Sequence, residues 1–106
     1  MKNITPAEAD KILKEDKSAV LVDVRTKDEV SEISVPDAKH IPLDVLAGRL
    51  GEIKNFSNVL FLCRSGGRST EACSVAESSG FPSVINVAGG IIAWEKTGLP
   101  VARGGR

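Results

Sequence analysis

The sequence predicts an α/β fold with a mostly parallel central sheet flanked by helices, and three observations carry that expectation. The runs Val20-Leu21-Val22-Asp23-Val24 and Val59-Leu60-Phe61-Leu62 are apolar without alternation, the pattern of parallel strands covered on both faces. Segments with capping signals and helical spacing lie before, between and after them. The chain is 106 residues long, enough for one enclosed core over residues 1–106 and too short for two.

Taken in order, Thr5-Pro6-Ala7-Glu8 combines a hydroxyl cap, a proline at the first helical position and a glutamate three residues after the cap, so a helix starts there. Ala9, Ile12 and Leu13 supply its apolar stripe, and Lys17-Ser18 is the expected end. The strand Val20–Val24 follows, interrupted by Asp23. A second capping box, Thr26-Lys27-Asp28-Glu29, opens a short helix, and Val35-Pro36-Asp37 reads as a turn. Leu43 to Ile53 is expected to be helical, with Leu43, Leu46, Ala47 and Leu50 on one face. Val59–Leu62 is the second strand. After it a helix is expected to begin near Ser69, carry Ala72, Val75 and Ala76 on one face and stop at Gly80. Ser83–Val87 is a third strand, Gly89-Gly90 a turn, and Ile91–Thr97 a last helix closed by Gly98. Residues 102–106, rich in Gly and Arg, are expected to fray. Alternating strands and helices imply right-handed crossovers.

Composition narrows the function. Hydrophobic residues make up 42% and charged residues 26%, which fits a water-soluble globule and excludes disordered, fibrous and membrane-spanning classes. Lys plus Arg and Asp plus Glu number 14 each, so no whole-molecule field draws the protein to nucleic acid or to an anionic membrane, and any anion site is local. The only aromatics are Phe56, Phe61, Phe81 and Trp94, too few for a surface that stacks bases. The N-terminus lacks the apolar segment of a secretory signal, so a reducing, cytoplasmic setting is expected. Cys63 and Cys73 form no C-x-x-C and have only His40 to complete a ligand set, so neither zinc, another cofactor nor a disulfide is expected.

The chemistry concentrates where the second strand ends, at Cys63-Arg64-Ser65-Gly66-Gly67-Arg68-Ser69. The carboxyl end of a parallel strand is where α/β sheets form ligand crevices. Gly66 and Gly67 allow the loop to turn its N–H groups toward the sulfur, and the following helix adds its positive end. Arg64 and Arg68 add two charges that favour thiolate and offer forks for an oxyanion. Together these residues describe an activated sulfur nucleophile in an anion cradle.

This loop resembles the active-site loop of single-domain rhodaneses, sulfurtransferases that carry sulfane sulfur as a cysteine persulfide. Asp23-Val24-Arg25 followed by Glu29 is similar to that family's first signature. Gly89-Gly90-Ile91-Ile92-Ala93-Trp94 through Gly98-Leu99-Pro100-Val101 is similar to its C-terminal one. The resemblance implies a three-layer rhodanese-like fold, Cys63 as catalytic residue, and Arg64, Ser65, Gly66, Gly67, Arg68 and Ser69 around the substrate. It further implies a sulfur donor such as thiosulfate or a persulfide, a thiophilic acceptor such as cyanide or a thiol, and a sulfur-relay protein as a further type of partner. The chain departs from the family at Ile33-Ser34-Val35-Pro36-Asp37-Ala38, where Ser34 replaces the usual histidine, a change that bears on local anchoring. Asp37 is able to hold a positive φ there.

Two other functions compete. A protein-to-protein sulfur carrier or regulatory module needs the same Cys63. A Cys-x5-Arg phosphatase needs one more residue than the four that separate Cys63 from Arg68. Several polar residues have structural readings instead. Asp23, inside a buried run, requires a partner such as Arg25 or loop N–H groups. Arg68 either binds substrate or braces the loop against a carboxylate such as Glu29. His40 is expected in a hydrogen-bonded or solvent-facing role, Cys73 as a small core filler and Trp94 as a core anchor that could instead wall the pocket.

Overall fold

The computed structural model describes residues 1–104. In chain order its elements are β1 (Lys2–Ile4), α1 (Pro6–Glu15), β2 (Ala19–Asp23), α2 (Lys27–Glu32), β3 (Ile33–Ser34), β4 (Lys39–His40), α3 (Leu43–Arg49), β5 (Asn58–Leu62), α4 (Gly67–Ser78), β6 (Val84–Val87), α5 (Gly90–Lys96) and β7 (Ala102–Arg103), with a 3-10 turn at Leu50–Glu52. Five strands form one parallel sheet in the order β1-β6-β5-β2-β4, and β3 pairs with β7 in a separate antiparallel ribbon.

Side chains explain the three layers. Along β2 and β5, Val22, Val59 and Phe61 turn to one face of the sheet, where Leu46 of α3 and Ala72, Cys73 and Ala76 of α4 cover them. Leu21, Leu60 and Leu62 turn to the other, against Ala9 of α1 and Ile91 and Trp94 of α5. A strand buried on both sides has no polar face to alternate with, hence the continuous apolar runs. Among the described residues no helix is long and apolar enough to cross a membrane.

Both capping boxes form. The Thr5 hydroxyl accepts from the Glu8 N–H while the Glu8 carboxylate accepts from the Thr5 N–H, and Thr26 and Glu29 repeat the exchange. α1 ends at Glu15, short of Lys17-Ser18, because the Asp16 carboxylate accepts the Ser18 N–H at 2.8 Å and turns the chain. The stretch expected to be helical through Ile53 breaks after Arg49, which leaves helical geometry at φ −119°, ψ 10°. The next turn is 3-10, and its i,i+3 spacing suits the Arg49–Glu52 ion pair at 2.7 Å.

The short polar strands gave no sequence signal. β1 buries only Ile4 and aligns Asn3 with Asn86 and Ile4 with Val87. The tail expected to fray from Ala102 is partly ordered: β7 aligns Ala102 with Ser34 and Arg103 with Ile33, and the Gly104 N–H donates to the Glu32 carbonyl at 2.9 Å. Residues 105–106 lie outside the described residues. This pairing anchors the segment that carries Ser34, and Asp37 takes the positive φ, 68°, that its turn requires.

Candidate active site

The site is built on the end of β5. Four apolar residues carry the strand through the core, and Cys63 follows at only 1% exposure, so its sulfur forms the floor of the loop that leads into α4. Gly66 turns the chain back at φ 120°, a conformation essentially closed to residues with a Cβ. That turn brings the Gly66 N–H to 3.0 Å from Cys63 Sγ. The Ser69 hydroxyl, fully buried in the first turn of α4, lies 3.3 Å from the same sulfur.

These contacts set the charge of the sulfur. Burial pushes the Cys63 thiol up. Hydrogen bonds from the Ser69 hydroxyl and from the backbone N–H groups of Ser69, Gly66 and Ser65 outweigh it, so the pKa lies below the ordinary thiol value. The cradle is therefore made chiefly of hydrogen-bond donors, with the Arg68 charge also attracting the thiolate. Gly67 differs from its expected part. It is the first residue of α4, two residues before the expected start, and a Cβ there would meet nothing within 4 Å.

The two loop arginines separate. Arg68 forks onto Glu29 of α2, with Nη1 donating to Oε1 at 2.6 Å and Nη2 to Oε2 at 2.8 Å. The guanidinium holds the Glu29 carboxyl down at about 2. Of the two roles expected for Arg68, the loop brace is the contact formed. Arg64 is exposed and lines a depression of about 230 Å³ together with Arg25, Ile91, Ile92, Glu95 and Arg103. Ser65 is exposed at the loop tip. On the other flank a depression of about 640 Å³ runs past Val24, Lys27, Pro42, Leu43, Arg68 and Glu71.

Asp23 and Arg25 form a buried pair, as the polar intruder in β2 required. Arg25 Nε and Nη2 donate to the carboxylate at 2.8 to 3.1 Å, and its N–H adds a bond at 3.0 Å. The same guanidinium reaches the Ile33 carbonyl at 2.6 Å, tying the end of β2 to β3. His40 Nε2 donates to the Arg25 carbonyl at 2.7 Å, a structural role. Cys73 is a core residue whose thiol burial pushes up to about 11. Trp94 is buried and donates to the Pro100 carbonyl at 3.1 Å.

Two contributors escape sequence reasoning. Gly90, expected in a turn and in the C-terminal signature but with no contact assigned to it, packs directly on the Cys63 loop, where a Cβ would stand 2.4 Å from the Cys63 and Arg64 carbonyl oxygens. The N–H groups of Ile91 and Ile92 then donate to those carbonyls at 2.9 and 3.2 Å, so α5 splints the loop from behind. The second is Asn86 of β6, whose Oδ1 accepts from the Ser69 hydroxyl at 2.5 Å. Its only sequence signal is a buried amide in an apolar strand.

A buried thiol with a lowered pKa at the end of a parallel strand, hydrogen-bonded by the Gly66 N–H and beside the Ser69 hydroxyl, is an arrangement that favours a reactive thiolate in an α/β protein. A family model described as rhodanese-like domain matches residues 5–97, and the chain belongs to that family, whose membership supports sulfur transfer. It is 39% identical over 89 residues to a sulfurtransferase of Allochromatium vinosum, covering 84% of this chain and 83% of the relative. It is 34% identical over 79 residues to a putative sulfur carrier protein of Bacillus subtilis, covering 74% of this chain and 43% of that one. The crystal structure of a rhodanese-like domain protein from Staphylococcus aureus superimposes with a TM-score of 0.79 at 37% identity, over 89% of this chain and 91% of the other.

Proposed function

We propose that the protein carries sulfane sulfur as a persulfide on Cys63, taking it from thiosulfate or a persulfide donor and passing it to a thiophilic acceptor in a reducing, cytoplasmic setting. With thiosulfate, the Cys63 thiolate attacks the outer sulfur. A bond forms between Sγ and that sulfur, the sulfur–sulfur bond of the donor breaks, and its electron pair leaves with sulfite. The persulfide's terminal sulfur is then attacked by cyanide or a thiol, and the pair of the breaking bond returns to Cys63 as thiolate. The observation that carries this reading is the donor set at the sulfur, with the Gly66 N–H at 3.0 Å and the Ser69 hydroxyl at 3.3 Å. Those groups stabilise the anion that attacks and the anion that is released. Arg64, exposed beside the loop and without a carboxylate fork among the described residues, meets the donor's oxyanion.

A phosphatase reading finds less support. The loop is one residue short, and the arginine that would grip the phosphate is engaged by Glu29. Transfer between proteins is the second reading, and the name of the Bacillus subtilis relative, a putative sulfur carrier protein, favours keeping it. Intact mass before and after thiosulfate, with Cys63→Ser alongside, tests the reading. A gain of one sulfur atom, absent from the variant and reversed by dithiothreitol, is expected. No gain from thiosulfate or from a persulfide-bearing protein donor refutes it.

A further inference from the structure

Behind the sulfur, the Ser69 hydroxyl used in the mechanism above continues into two amide side chains that the mechanism does not use. Ser69 Oγ has one proton and three neighbours able to take it: Cys63 Sγ at 3.3 Å, the Gly66 carbonyl at 3.1 Å and Asn86 Oδ1 at 2.5 Å. Asn86 Nδ2 donates in turn to Asn3 Oδ1 at 2.9 Å. Asn86 is 5% exposed, whereas Asn3, its register partner on the edge strand β1, faces solvent.

We propose that Asn86, and Asn3 behind it, are positioning residues that reverse the direction of this chain when Cys63 loses its proton. This rests on the reading of Cys63 as the reacting sulfur. With the Ser69 proton on Asn86 Oδ1 the hydroxyl is able only to accept from the sulfur, whereas the hydrogen bond that lowers the Cys63 pKa needs that same proton turned to Sγ. The first arrangement suits the neutral thiol, whose S–H points at Ser69 Oγ. A thiolate, formed at deprotonation and again when the terminal sulfur departs, requires the opposite, with the Ser69 proton turned toward Sγ. Were Asn86 then to stay put, its Oδ1 would face a lone pair with no donor, a buried acceptor left unsatisfied. An amide removes that conflict because it carries a donor and an acceptor on opposite atoms. Rotating Asn86 by half a turn presents Nδ2 to Ser69 and Oδ1 to Asn3. Asn3, exposed and free to rotate, answers with its own Nδ2. Both charge states of the sulfur are then fully hydrogen-bonded; the one proton lost is the thiol's own, which goes to solvent, while Ser69, Asn86 and Asn3 keep theirs. A carboxylate at either amide position would lock one direction, because it only accepts.

The charged groups on the loop and on the neighbouring element ends are Arg64 on the loop, Arg68 and Glu71 on α4, Glu29 on α2 and the Asp23–Arg25 pair at the end of β2. None of them is part of the relay, and none is altered in the test. The test is the pH dependence of Cys63 alkylation by iodoacetamide, assigned to Cys63 by peptide mass mapping, in the wild type, Asn3→Asp, Ser69→Ala and the double variant. Asn3 is on the surface, so its substitution leaves the core intact, and thermal unfolding checks this.

Asn3→Asp is expected to raise the Cys63 midpoint by about half a unit, and Ser69→Ala by about one unit, because each weakens hydrogen bonding to the anion. The effect of Asn3→Asp should fall by at least about half in the Ser69→Ala background, since the relay runs through that hydroxyl. A plain Coulomb effect of the new charge would persist there and fade in salt instead. A shift below about 0.3 unit, or one that keeps more than about half its size without Ser69, overturns the proposal. The titration needs no sulfur donor, so a protein that shows the coupling but forms no persulfide would refute the proposed function and leave the relay standing.

Discussion

Replacing Gly90 with alanine tests whether α5 holds the active loop in place. Gly90 has φ +59°, and a Cβ there would stand 2.4 Å from three backbone atoms, the carbonyl carbon and oxygen of Arg64 and the carbonyl oxygen of Cys63. None of these is the end of a flexible side chain. The left-handed conformation costs an alanine about 1 kcal/mol, and the overlap costs about 2 kcal/mol more by the scale of overpacked cores. Relief requires α5 to back away, which stretches the bonds from Ile91 N–H and Ile92 N–H to the loop carbonyls and loses about another 1 kcal/mol. The expected total is about 4 kcal/mol, a large share of a small domain's stability.

Gly66→Ala carries the strain of φ +120° with its nearest contact at 3.7 Å, so about 2 kcal/mol is expected. Gly67→Ala, helical and in open space, should be neutral or stabilise by about 0.5 kcal/mol. Urea unfolding followed by the fluorescence of Trp94, the single tryptophan and a residue of α5, measures all three. A cost for Gly90→Ala below about 1 kcal/mol, or a cost for Gly67→Ala equal to that for Gly66→Ala, refutes the reasoning.

The Glu29–Arg68 pair sets an acid limit. The Glu29 carboxyl sits at about 2 in the folded protein against 4.5 for the free group, because Arg68 hydrogen-bonds its charged form. A depressed carboxyl contributes stability above its unfolded pKa and loses it as the pH falls through the folded one. The gap between wild type and Glu29→Gln should therefore be full at pH 6 and shrink from about 4.5 toward about 2. Gln keeps the capping box, and with both side chains about one-third exposed the full gap is about 1 kcal/mol; denaturation midpoints across that range that leave the gap constant would refute the pairing. Cys73, buried and pushed up to about 11, should resist iodoacetamide at pH 8 while Cys63 reacts, and modify only in denaturant. Mass mapping that finds both thiols equally labelled in the native protein would count against its place in the core.

Local signals were readable and distant ones were not. The capping boxes at Thr5 and Thr26, the continuous strands and the Cys63–Ser69 loop each depend on residues within a few positions, so composition and spacing expose them. β1 and β7 bury almost nothing and take their backbone partners from β6 and from β3, so no periodicity announces them. Gly90 looked like a turn because the carbonyls it packs on lie some 26 residues earlier.

Arg68 shows why the rest of the site needs the fold. Its sequence position serves substrate binding and loop bracing equally, and only the location of Glu29, 39 residues upstream, separates them. Glu29 was legible as the third residue of a capping box, and that role pre-positions it for the second. Its Oε1 accepts from the Thr26 N–H at 3.0 Å while Arg68 spans both oxygens. A carboxylate already fixed at a helix start loses little further side-chain entropy on pairing. One glutamate therefore joins the start of α2 to the start of α4, and through Arg68 it holds the helix whose first turn carries Ser69 beneath the sulfur.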